Sequence, residues 1–212
     1  MFVDLDDRIR QDLLFRLRWN ISATLEHIEI TIGPHDQTTN VLFLGHPLAD
    51  ESLADPPLSR IQVGIDVCED KYAEEQRYLD KGMNYPYQYQ PPARLTIDNE
   101  DGSPITLGQF VAQTHAYLNY NREAIIKVIS ETYGEVFKQA DGSVRRVMTC
   151  GHPVTLPKDI GIYVSRIWVV AKNDEVSFSV CLHAEGEAGR LLKQLWAGRL
   201  TQVLWHEQKR QA

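Results

Sequence analysis

The residues best suited to chemistry are two Cys-x-His pairs, Cys150-Gly151-His152 and Cys181-Leu182-His183. On a strand, positions i and i+2 face the same side, so each pair presents a thiol and an imidazole together. Two such strands side by side would offer the mixed sulfur and nitrogen set that holds a tetrahedral zinc. The spacing argues against it, because zinc sites usually carry a CxxC knuckle and none is present, while an isolated buried thiol behaves as a small hydrophobe. Metal binding by Cys150, His152, Cys181 and His183 is therefore the alternative reading, and no cofactor is expected. A Cys/His nucleophile is the other chemistry on offer, with Cys181 or Cys150 near a histidine and an acid such as Glu185. It requires a depressed thiol pKa, for which Arg166 across a hairpin from Cys181 would be a weak source.

Other catalytic signatures fail on inspection. The chain has no G-x-S-x-G elbow, no Walker loop and no G-x-G-x-x-G. His206-Glu207 lacks the second histidine of H-E-x-x-H, and Asp98 to Gly102 brings its glycine one place too early for a calcium loop. Gly186 to Arg190 opens a helix, but Glu185 and Glu187 already supply negative charge there, so helix stabilisation outweighs anion binding. His115, near Tyr117 and Tyr120, reads as a half-buried structural histidine. No catalytic residue is assigned, and the balance leans against an enzyme.

The elements that must position these residues follow from periodicity. Residues 4 to 15 carry Leu5, Ile9 and Leu13 at helical spacing, followed by an extended stretch to Ile21. Leu25 to Ile32 alternates as a strand, Val41 to Leu44 is a short apolar run, and Ile61 to Val67 alternates again, which together predict an N-terminal antiparallel sheet. Residues 69 to 81 read as a charged helix. Tyr85 to Pro92 holds Pro86, Pro91 and Pro92 and is expected to be extended, so that Tyr85, Tyr87 and Tyr89 share one side. Exposed, these rings would form a partner surface; packed, they would pin the loop.

Arg94 to Asp98 predicts a further strand. Thr106 and Gln109 then form a T-x-x-Q capping box, with Ile105 and Phe110 as its hydrophobic staple, so a helix begins at Leu107 and runs to about Tyr120. A second helix from Asn121 reaches Tyr133. Val144 to Thr149 predicts a strand. Ile162 to Lys172 and Glu175 to Ala184 predict a hairpin around Asn173-Asp174, with Lys172 opposite Glu175, Ile167 opposite Val180 and Ser165 opposite Leu182. Its other face is mixed, pairing Trp168 with Ser179, Arg166 with Cys181 and Val164 with His183. A C-terminal helix from about Ala188 to Glu207 has a broad apolar face that includes Trp196, while Trp205 falls outside it.

With 212 residues the chain can bury about 70% of its unfolded surface. One α+β domain is expected, an antiparallel sheet flanked by a central helical pair and a C-terminal helix, with a charged and Tyr/Pro-rich insertion at about 69–92. A net charge of −7 opposes general nucleic-acid and anionic-membrane binding. Acids gather at 66–81, whereas Arg190, Lys193, Arg199, Lys209 and Arg210 make the end basic, so salt-sensitive self-association between the two is one expectation. Three separated cysteines, an acidic start and no apolar run near the about 20 residues of a membrane helix predict an intracellular, cytoplasmic protein.

Leu17-Arg18-Trp19-Asn20-Ile21, Ala54 to Ile61, Ile105 to Phe110, and Val144-Arg145-Arg146-Val147 followed by Gly151 and Gly161 resemble an uncharacterised domain family of unknown function widespread in fungi. The resemblance spans roughly residues 17 to 183 and departs at 69–92 and in the C-terminal helix. It implies a compact intracellular α+β domain and carries over no catalytic residue. The expected function is that of a non-catalytic interaction or binding module, acting through a protein partner or self-association with Trp196, Trp205, Tyr85, Tyr87 and Tyr89 as contact surface. The alternative is a small-molecule-binding protein or enzyme, with a pocket lined by Arg166, Trp168, Cys181 and His183 on the mixed hairpin face.

Overall fold

The computed structural model describes residues 8–34, 37–81, 89–131, 135–138, 144–147, 156–157, 159–172, 175–187 and 191–211. The fold is α+β. A short helix α1 (Gln11–Leu14) leads into a three-stranded antiparallel sheet of β1 (Leu17–Arg18), β2 (Glu29–Ile32) and β3 (Thr39–Leu42). The expected alternation holds for Ile28 and Ile30, which are buried, but not beyond them, since Thr31 is buried as well and Ile32 is half-buried; Leu25–His27 is a 3-10 turn rather than the start of the strand.

The second sheet has strand order β5-β4-β9-β8, built from β4 (Arg60–Ile65), β5 (Leu95–Asp98), β8 (Ile162–Lys172) and β9 (Glu175–Ala184). It is mixed rather than antiparallel, because β4 runs parallel to β9 with Val63 opposite Phe178 and Ile65 opposite Val180. Parallel neighbours require a crossover, and everything between β4 and β9 supplies it. The helix after β4, α2 (Asp66–Asp80), starts earlier than its charge pattern suggests. Asp66 and Glu69 in its first turn suit the positive end of the helix dipole.

The central helical pair is present as α3 (Leu107–Tyr120) and α4 (Arg122–Ser130). Thr106 Oγ1 accepts from Gln109 N at 3.1 Å, which is one half of the capping box. The other half is replaced, because Gln109 Oε1 accepts from Asn99 Nδ2 at 3.2 Å instead of from Thr106 N, while Gln109 Nε2 donates to Asn99 Oδ1 at 2.6 Å. Ile105 and Phe110 are both fully buried, as a staple requires. A two-stranded sheet of β6 (Glu135–Lys138) and β7 (Val144–Val147) follows; β6 has no counterpart in the sequence reading, which continued the second helix to Tyr133.

One contiguous cluster of buried apolar side chains extends from Ile9 to Ala184. Phe110 of α3 packs on Phe178 of β9, ring centroids 5.4 Å apart, and Trp19 meets Phe110 edge-on. The 19–21 segment also joins the two sheets: Val164 N donates to Trp19 O and Ile21 N to Ile162 O, covering the first residues of the outer edge of β8. The last helix, α5 (Leu192–Gln211), begins and ends about four residues later than expected. Its buried positions Leu195, Arg199 and Val203 follow helical spacing, and Trp205 stays exposed. No helix among the described residues is long and apolar enough to cross a membrane.

Candidate functional site

The hairpin keeps its expected register from Lys172 opposite Glu175 to Arg166 opposite Cys181, then shifts. A bulge at Ser165 places Val164 opposite Leu182 and Tyr163 opposite His183, which corrects the expected pairs Ser165 with Leu182 and Val164 with His183. An extra residue in one strand turns the carbonyls of the bulge outward and bends the strand. Here the carbonyls of Val164 and Ser165 both accept from Arg199 Nη1 at 2.7 Å. The same guanidinium donates to Leu14 O at 2.6 Å and to Phe15 O at 3.3 Å, carbonyls left open where α1 ends. One buried arginine thus joins α1, the β8 bulge and α5. Its burial lowers its pKa to about 9, so it remains charged at neutral pH.

Between the bulged strand and α5 lies a cleft of about 390 Å³. Arg166, Trp168 and Cys181 line it from the hairpin; Gln194, Gly198, Arg199 and Gln202 line it from α5; Phe15 closes one end. Three of the residues proposed for a pocket on the mixed face therefore share one cavity. His183 does not line it; the ring is buried, with Nδ1 3.7 Å from the Glu187 carboxylate. The bulge pairs His183 with Tyr163, whose ring meets Trp196 of α5 edge-on, in place of Val164.

Among the described residues that line the cleft none is a carboxylate; Asp66 stands behind Cys181, hydrogen-bonded to it. Arg166 lies flat on Trp168, its guanidinium carbon 3.3 Å from the ring centroid, and forms no ion pair among the described residues. Gln194 uses Oε1 to accept from Leu191 N, capping the helix and leaving its amide nitrogen for other work. Gly198 is in the middle of α5, and a Cβ there would meet nothing within 4 Å. Interior glycine costs a helix about 1 kcal/mol relative to alanine. What it supplies here is open space in the wall of the cleft.

Cys181 is poorly suited to nucleophilic attack. Burial raises its thiol pKa, and the hydrogen-bonded Asp66 carboxylate raises it further, against a smaller lowering by Arg166. Asp66 also accepts from Ser179 Oγ at 3.3 Å. The mixed face is thus polar and organised: farther along β9, Ser177 Oγ accepts from Arg94, which is bidentate to Glu69. Sequence reasoning missed Asp66, Arg94 and Glu69 because nothing local pairs them with β9.

The residues proposed as contact surface divide. Trp196 is half-buried, edge-on to Tyr163 with Arg18 over its ring at 5.0 Å, so only part of it reaches the surface. Tyr89 is buried too, its backbone N–H donating to Glu75 and its ring under Lys71. Trp205 is 53% exposed, with Lys209 over its ring. Tyr85, Tyr87, Cys150 and His152 lie outside the described residues. Among those described, no group of three or more His, Cys, Asp and Glu is arranged for a metal. Some of the charges expected to join two molecules are engaged within one: Arg210 pairs with Asp12 and Asp55, Arg199 is buried, Glu75 pairs with Lys71 and Glu69 with Arg94.

Comparison of the chain with protein-family models, curated proteins and solved structures finds no match in any of the three.

Proposed function

We propose that this chain is a ligand-binding protein whose cleft between the β8–β9 hairpin and α5 takes a small molecule with an anionic group and a flat apolar part. The observation that carries the reading is Arg166, a guanidinium stacked on Trp168 in a cleft that no carboxylate lines among the described residues. A stacked guanidinium keeps its in-plane donors free for a carboxylate or phosphate, while the ring supplies a face for a planar group. Gln194 and Gln202 add amide groups, and about 390 Å³ is within the range of small-ligand sites. The raised thiol of Cys181 favours binding over covalent catalysis.

A screen of aromatic carboxylates and aryl phosphates by ligand-observed NMR and thermal shift tests this. Members of that class are expected to bind the wild type and to lose affinity in Arg166→Gln and in Gly198→Leu, which fills the cleft while strengthening the helix. Equal binding by all three proteins, or none by the wild type, would reject it.

The interaction reading keeps one supporting observation, the exposed Trp205 on the outer face of α5. It expects Trp205→Ala to abolish self-association in sedimentation velocity; an unchanged monomer in both proteins would discard it.

A further inference from the structure

Behind the cleft, on the far side of Phe15 and Arg199, lies a second and smaller cavity of about 80 Å³, between the N-terminal sheet and α5. A water occupies about 30 Å³ of liquid, so the space suits a tetrahedral oxyanion or two to three waters. Its polar lining comes from Arg18 on β1, Thr31 on β2, Thr38 and Asn40 near or on β3, and Trp196 and Arg199 on α5. No aspartate or glutamate is among them.

The hydrogen-bonding state of these groups is one-sided. Trp196 Nε1 is buried with no hydrogen-bond partner, although an indole N–H can only donate. Thr31 Oγ1 donates to Asn40 Oδ1 at 2.9 Å, so the acceptor of that amide is used and its NH₂ is left. Arg18 forms an ion pair with Glu29, Nε to Oε2 at 3.7 Å, which is longer than a hydrogen bond and uses only one edge of the guanidinium. Arg199 has four of its contacts on carbonyls and adds a second positive charge. Trp196 Nε1 and the Asn40 amide nitrogen are donors, and the two arginines outweigh the single Glu29 carboxylate paired with Arg18, which calls for a ligand that only accepts and is negative.

We propose that this cavity is a binding site for a tetrahedral oxyanion of the phosphate or sulfate class, held by Arg18, Trp196 and the Asn40 amide against Arg199. An anion there joins β1 and β3 to α5 and gives Trp196 Nε1 its partner. The same chemistry is offered by inorganic phosphate and by the end group of a phosphomonoester, and cavity size favours the free ion.

The test is thermal unfolding with increasing inorganic phosphate at constant ionic strength made up with chloride, in parallel with glycerol phosphate. Saturating stabilisation at millimolar phosphate is expected in the wild type, in contrast to the non-saturating rise that excluded salts give any protein. Trp196→Phe keeps the ring that packs on Tyr163 and removes only the N–H. It is expected to be at least as stable as wild type in chloride, because an unsatisfied buried donor is gone, yet to bind phosphate about tenfold more weakly. Arg18→Gln should lose the response, and Gly198→Leu, which fills only the larger cleft, should keep it. Saturation by glycerol phosphate alone would reassign the site to an ester. A wild-type response that never saturates, or one unchanged in Trp196→Phe, would overturn the proposal and leave a water-filled cavity.

Discussion

Trp19 Nε1 donates to His115 Nδ1 at 3.0 Å, tying the strand that bridges the two sheets to the middle of α3. Both side chains are buried. A ring nitrogen that accepts from an indole carries no proton, so the imidazole in this bond is neutral. Asn119 fills the space on the other side, with Nδ2 3.1 Å from His115 Nε2.

Acid should therefore loosen this junction. Burial holds the His115 pKa below its ordinary 6.5, against smaller opposing contributions from the Ala23 backbone and Glu26. The unfolded histidine takes a proton near 6.5 while the folded one resists it, so stability is fully present above that pH and is lost as pH falls through the folded value. Urea denaturation at pH 8, 6.5 and 5.5 is expected to show this decline. His115→Gln should be less stable at pH 8 and show a shallower dependence below pH 6.5; an unchanged slope would remove His115 as the cause.

Arg199 should be among the most sensitive positions for stability. Removing it leaves the carbonyls of Leu14, Val164 and Ser165 buried without their donors, each short bond at 2.6 or 2.7 Å. Arg199→Met, similar in length and uncharged, is expected to destabilise by about 3 kcal/mol or more in chemical denaturation. Lysine has donors at a single atom and cannot span α1 and the bulge, so Arg199→Lys should recover less than half of that loss. Wild-type stability in Arg199→Met would show that solvent already satisfies these carbonyls.

Much of the local structure was legible because local chemistry determined it. The hairpin register could be read from alternation between Ile167 and Lys172, and it failed only at Ser165, where no glycine or other residue type marks the bulge. The cap at Thr106 was readable, but the diversion of Gln109 to Asn99 depends on a turn that folds back from β5. Parallel pairing of β4 with β9 was not legible, since periodicity says which face a residue takes and nothing about its distant neighbour. Arg199 was visible in principle: it occupies the middle of the α5 stripe of Leu195, Trp196, Leu200 and Val203, where a charge is out of place unless it is buried and satisfied. Three of the four pocket residues were found because they share a sheet face, whereas His183 lies beside Tyr163, which packs on Trp196, and does not line the cleft.

Gly198→Ala should stabilise the protein. The added Cβ meets nothing within 4 Å, and replacing glycine inside a helix gains about 0.5–1 kcal/mol. A rise of roughly that size in urea denaturation is expected. A loss would mean that α5 needs its glycine for the backbone, and the case for a glycine that keeps the cleft open would weaken.

The Thr106 cap offers a separate check on α3. Thr106→Ala removes the acceptor of Gln109 N and is expected to cost about 1 kcal/mol, or about 2–4 °C in melting temperature for a chain of this size. Thr106→Ser should restore most of it. A full loss in Thr106→Ser would point to packing of the threonine methyl instead.

Cys181 should react slowly despite lining an open cleft. Thiolate is the reactive form, and both burial and the Asp66 carboxylate act to keep the proton on sulfur. Each unit of upward shift removes about tenfold of the thiolate at a given pH, so alkylation by iodoacetamide at pH 8 is expected to be at least about tenfold slower than for a free cysteine. Asp66→Asn removes the negative charge that opposes ionisation while keeping a polar side chain beside Ser179. Site-resolved mass spectrometry should then show faster modification of Cys181 in Asp66→Asn, with Cys68, buried on the other side of the first turn of α2, changed far less. Fast modification of Cys181 in the wild type would contradict the raised thiol and reopen the nucleophile reading, because the cleft would then hold an accessible thiolate beside Arg166.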